Sequence, residues 1–95
     1  MTKDEIRKAR HQLKRLAKQL AALGPVMRGS VVKIGTRNKQ FYFSLNKDKK
    51  TRVIYLGEER EPLARKLSDN YKMLLTIVEE MTVLNMELLK NDELK

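Results

Sequence analysis

Lys47, Lys49 and Lys50 crowd the middle of the stretch "QFYFSLNKDKKTRVIYLG", residues 40–57, beside Arg52 and between two tyrosines, Tyr42 and Tyr55. Ammonium and guanidinium groups neutralise phosphate or carboxylate oxygens, and a tyrosine ring adds a flat apolar face with a polar tip. Such groups hold an anion; they do not by themselves transform one. The bias reaches well beyond the stretch, because residues 1–57 carry 15 Lys or Arg against three acidic side chains, a net +12, while residues 58–95 carry six against nine. A half-chain charged so strongly points to a polyanion, nucleic acid first and an anionic membrane surface second.

Residues able to do covalent or acid–base chemistry are sparse. His11 is the only histidine and lies among Lys and Arg, and the chain has no cysteine, so neither a disulfide framework nor a transition-metal site is expected. Glu79, Glu80 and Glu87 have no histidine beside them, and Ser30, Ser44 and Ser68 lack the neighbours of a nucleophile. Gly29, Gly35 and Gly57 are too isolated to form a phosphate-cradling loop. The expectation is a protein that is no enzyme and needs no cofactor and no metal.

These cations must be positioned by three elements within one domain spanning residues 1–95. Thr2 and Glu5 have the spacing of a capping box, and Gly24-Pro25 is a stop signal, which predicts a helix over 4–23. Its apolar positions, Ile6, Ala9, Leu13, Leu16, Leu20 and Leu23, step by three and four as in a coiled-coil seam. Around that seam lie Lys3, Arg7, Lys8, Arg10, Lys14, Arg15 and Lys18. Residues 29–57 change period: runs at 30–34, 41–45 and 51–56, rich in β-branched and aromatic side chains and joined by short turn-forming segments, predict an antiparallel β-meander. Alternation puts Val32, Ile34, Phe41, Phe43, Leu45, Ile54 and Leu56 on one face, and Lys33, Tyr42, Ser44, Thr51, Val53 and Tyr55 on the other. A second helix is predicted over 62–90, opening at Pro62, with a seam through Leu67, Tyr71, Leu74, Val78, Met81, Asn85 and Leu88. At 1.5 Å per residue it would run roughly 42 Å, longer than a compact monomer of this size requires, and so points to a partner copy. An Asn in such a seam fixes register and partner number.

The segments "FYFSLNKDKKTRVIYLG" (41–57) and "NYKMLLTIVEEMTVLNMELLK" (70–90) resemble a small prokaryotic domain family of uncharacterised function, with an aromatic strand, a Lys-Thr turn and a long helix bearing NY and LNxELL elements. The resemblance covers about residues 29–90. It implies the strand and helix architecture and, because such members often lie near mobile genetic elements, a nucleic-acid role. Many of them carry cysteines around the first hairpin, whereas "KIGTRNKQ" has none. By analogy alone, the sheet followed by a helix is also similar to the sheet-reading DNA-binding domains of tyrosine recombinases.

The combined expectation is an α+β protein, with a helix, a three-stranded antiparallel meander and a long C-terminal helix, the helices pairing in coiled-coil-like fashion. It is expected to bind nucleic acid, double-stranded DNA before RNA, through Arg7, Lys14, Lys18, Lys33, Arg37, Lys39, Tyr42, Lys47, Lys49, Lys50, Arg52 and Tyr55. A homodimer is expected through Leu67, Leu74, Val78, Met81, Asn85 and Leu88. The competing expectation is a structural, adaptor or regulatory protein that assembles through its heptad helices and meets an acidic protein partner. No apolar run approaches the roughly 18 residues that cross a bilayer, and "MTKDEIRKAR" lacks the apolar stretch of a signal peptide, so a cytoplasmic location without membrane contact is expected.

Overall fold

A computed structural model describes residues 1–94. Its elements run α1 (Lys3–Ala21), β1 (Ser30–Ile34), β2 (Gln40–Lys47), β3 (Lys50–Tyr55) and α2 (Gly57–Lys90). The arrangement is α+β, with one antiparallel sheet in the order β1-β2-β3 and a long C-terminal helix. The chain divides into two compact units: Met1–Gly24 with the chain from Met73 onward, and Pro25–Lys72.

In the helical unit, α1 begins where its capping box dictates. The Thr2 hydroxyl accepts from the Glu5 backbone N–H at 3.2 Å, and the Thr2 N–H donates to the Glu5 carboxylate at 3.3 Å. The Thr2 backbone N–H foremost, and then the Thr2 hydroxyl, which donates to the same carboxylate at 3.1 Å, hold the Glu5 carboxyl below its usual pKa. The N-terminal ammonium donates to Asn91 Oδ1 at 3.1 Å, and Arg10 reaches both the carbonyl and the carboxylate of Glu93. The start of α1 therefore lies beside the end of α2, and the two helices run antiparallel. Ala9 and Leu16 of α1, with Ile77 and Leu88 of α2, are the buried side chains of this unit. Burying a Leu or Ile contributes about 1.5–3 kcal/mol, so Leu16, Ile77 and Leu88 supply most of what holds α1 in place. The last turn of α2 closes with the Glu93 N–H on the Leu88 carbonyl and the Asp92 N–H on the Leu89 carbonyl, Asp92 taking the left-handed conformation such a cap requires.

In the sheet unit, β2 and β3 are joined by the two residues Asp48 and Lys49, both at positive φ, the signature of a type I′ turn matched to the twist of the flanking strands. The β-strand segments at 41–45 and 51–56 thus extend further toward the turn than their apolar runs indicate. Phe43, Leu56 and Ala64 form the core, with Met27, Val31 and Phe41 packed against it. Two polar links tie α2 to the segment leading into β1: the buried Ser68 hydroxyl donates to the Gly29 carbonyl at 2.8 Å, and Asn70 Nδ2 donates to the Pro25 carbonyl at 2.9 Å.

Two expectations need correction. β1 pairs Val31 with Phe43, Val32 with Tyr42 and Lys33 with Phe41. Val31 and Lys33 therefore share the face of the two phenylalanines, whereas Val32 and Ile34 share that of Tyr42; both are the reverse of the alternation read from the chain. A register displaced by one residue inverts every side chain of a strand, and the displacement is set where Gly29 passes against β2. A Cβ on Gly29 would stand 2.6 Å from the Ser44 carbonyl oxygen and 2.7 Å from the Phe43 ring, so glycine alone permits this approach. Second, α2 starts at Gly57, five residues before Pro62, which lies inside the helix. As the sixth residue of the helix, past the four N–H groups that have no intrahelical acceptor, Pro62 forfeits the bond to the Glu58 carbonyl that any other residue would donate.

Candidate nucleic-acid interface

The helical unit presents one charged face. Lys3, Arg7, His11, Lys14 and Lys18 recur along α1 at intervals of four, four, three and four, which keeps them on one side of a 3.6-residue helix. The stripe is about 22 Å long at 1.5 Å per residue. Arg7 pairs with Asp4, and Arg10, flanking the stripe, pairs with Glu93 at 3.0 Å. Lys14, Arg15 and Lys18 are exposed and enter no ion pair among the described residues. The groove lined by Lys3, Arg7, Arg10, His11 and Lys14 contains a single acid, Glu93, already engaged by Arg10. Of the groove's cations, Lys3 and Lys14 enter no ion pair among the described residues and stay available to an approaching anion.

The sheet unit does not assemble its cations as expected. The register pairs Leu45 with Arg52 and Lys47 with Lys50 two and four residues beyond the Phe43–Ile54 pair, so Lys47, Lys50 and Arg52 follow the parity of Phe43. Lys33 follows it as well, its ammonium 5.0 Å from the centre of the Phe41 ring. Lys33 is thus separated from Tyr42 and Tyr55, whose face alternation had given it, whereas Arg52 keeps the parity of Ile54 that alternation assigns. The tyrosines lie on the opposite face, edge to face with ring centres 5.6 Å apart, and the Tyr55 hydroxyl donates to Gln40 Oε1 at 3.3 Å. Their strand neighbours on that face, Val32, Ser44 and Val53, are uncharged. Arg37 and Lys39 occupy the connection at one end of β2, and Lys49 the turn at the other, about 23 Å away at strand rise.

The expected oligomerisation residues divide in a similar way. Leu88 is 2% exposed and consumed by packing within the chain; Leu74, Met81 and Asn85 are half-buried in the helical unit, and Leu67 is half-buried in the sheet unit. Val78 is exposed, its place in the packed seam taken by Ile77. Val78 belongs instead to a second apolar stripe on α2, with Leu75, Met86 and Leu89, whose side chains all remain open to solvent; of these the sequence reading had not placed Leu75 and Met86 in a partner face.

Among the described residues no three His, Asp or Glu side chains are grouped to hold a metal ion, and no helix is long and apolar enough to cross a membrane. No protein-family model, curated protein or solved structure matches the chain.

Proposed function

We propose that the protein binds nucleic acid without catalysis, double-stranded DNA first, through phosphate contacts made by α1. The observation that supports this reading is the exposed face of α1 on which Lys14, Arg15 and Lys18 stand without ion-pair partners. Such a face releases counterions from a duplex without reading its bases, so affinity depends on salt and little on sequence. In a titration of a short random duplex, log K is expected to fall linearly with log salt, by about 0.9 per phosphate contacted. No binding at low salt, or affinity independent of salt, overturns the proposal.

A homodimer is part of the same proposal. Leu75 and Leu89 lie seven residues either side of Thr82, and Val78 and Met86 lie four either side. A stripe with that symmetry meets itself when two copies of α2 cross antiparallel on a twofold axis, as an isologous interface requires. The dimer would carry two α1 stripes. Leu75→Asp with Leu89→Asp is expected to convert a dimeric mass, measured by light scattering, to a monomeric one with helicity unchanged; a monomeric parent protein would refute the pairing.

A further inference from the structure

Beside its packed core, the sheet unit keeps an apolar groove between the 26–28 segment and the β2–β3 hairpin. Its floor is Val26, Met27, Phe43, Leu45 and Ile54. Its charged lining is Arg28, Lys47 and Arg52, with no acid among the lining residues. The Arg28 guanidinium donates through Nη1 to the Asn46 carbonyl at 3.1 Å, which ties it to the hairpin and leaves its other donors available. None of the eight cations in residues 25–57 takes part in an ion pair among the described residues, and Asp48 is the only acid there. Ile54 is 57% exposed although it follows the parity of buried Phe43, so the floor is open where the core ends.

We propose that this groove binds an acidic segment of a partner protein, one that sets aliphatic side chains on the floor and carboxylates against Arg28, Lys47 and Arg52. Charge complementarity requires an anionic occupant. The floor then selects among anions: unpaired bases bind by stacking on exposed aromatic rings, and here the only aromatic, Phe43, is 4% exposed, leaving aliphatic side chains as the surface in reach. Arginine is suited to this role because its planar fork meets a carboxylate through two parallel hydrogen bonds. The site lies in a different compact unit from the α1 stripe and does not depend on the nucleic-acid reading.

The test uses three labelled peptides of equal length, one alternating Leu and Asp, one Ser and Asp, one Leu and Ser, with fluorescence anisotropy for affinity and amide NMR shifts for location. The Leu–Asp peptide is expected to bind at least roughly tenfold more tightly than either control, since each of them lacks one of the two contacts. Its shifts should cluster at Val26 to Arg28, Leu45 to Lys47 and Arg52 to Ile54. Arg52→Glu and, separately, Ile54→Ser, both at exposed positions, should each lower that affinity, whereas Lys14→Glu with Lys18→Glu should leave the clustered shifts in place. Equal binding of the Ser–Asp peptide would reduce the groove to diffuse charge and overturn the proposal. So would shifts centred elsewhere, or a single-stranded oligonucleotide perturbing the same amides at lower concentration than the Leu–Asp peptide.

Discussion

Replacing Lys14 and Lys18 together by Glu is expected to weaken duplex DNA binding by roughly 10- to 100-fold at moderate salt while leaving the fold intact. Both side chains are exposed and take no part in packing, so helicity and melting temperature should stay near those of the parent protein. The milder pair Lys14→Gln and Lys18→Gln separates charge from repulsion: it should reduce the slope of log K against log salt by about 2, one unit for each phosphate contact removed. Arg7 is the internal comparison. It already shares its charge with Asp4, so Arg7→Gln should change the slope less than Lys14→Gln does. Binding that survives both lysine reversals with an unaltered slope would remove α1 from the interface.

The largest loss of stability is expected at the Phe43–Gly29 contact. Phe43 is buried at the centre of the sheet unit's core among Leu56, Ala64, Met27, Val31 and Phe41. Phe43→Ala leaves a cavity that this short sheet can close only in part, and should cost about 3–5 kcal/mol. That is a large share of the 5–15 kcal/mol typical of a small domain. Gly29→Ala attacks the same contact from the opposite side. Gly29 has φ 144°, where an L-residue is strained by about 1–3 kcal/mol, and the added methyl meets the Ser44 carbonyl and the Phe43 ring at under 3 Å. Chemical denaturation of the two variants and of their double mutant measures this. Because the sites touch, the double mutant should lose less than the sum of the singles, the smaller alanine at 43 making room for the methyl at 29. Strict additivity would show that the Phe43 ring adds nothing to the cost at Gly29, which then comes from the backbone conformation and the Ser44 carbonyl.

Much of the architecture was legible in the chain because it is set by neighbours in sequence. The Thr2–Glu5 capping box starts α1 through hydrogen bonds spanning three residues, and the 3-4 spacing of Ile6 to Leu20 announces a face to be covered whatever covers it. The β2–β3 hairpin was equally plain, since two β-rich runs around a polar turn pair with each other before anything else. The start of α2 was not. Pro62 is the stronger local signal, yet Gly57 at φ 69°, directly after the buried Leu56, turns the chain into the helix earlier.

Charge was determined by the sequence alone: the +12 of residues 1–57 and the run of cations along α1 follow from composition and helical period, and no packing could alter them. Where the sheet's cations point was decided only in three dimensions. Alternation says that neighbours in a strand face opposite ways, but which way each faces depends on register, and register in β1 follows from the close passage of Gly29 over Phe43 and Ser44. That contact moved Lys33 beside Phe41 and left the tyrosine face uncharged, while Lys47, Lys50 and Arg52 keep the parity that alternation along β2 and β3 already gives them and make the groove at Ile54 cationic. The same division holds in α2, whose sequence offers two apolar stripes one residue apart at Ile77 and Val78. Its own periodicity favours neither; the antiparallel approach of α1 buried Ile77 and left Val78 in solvent, because a helix of this width can cover one stripe and not both.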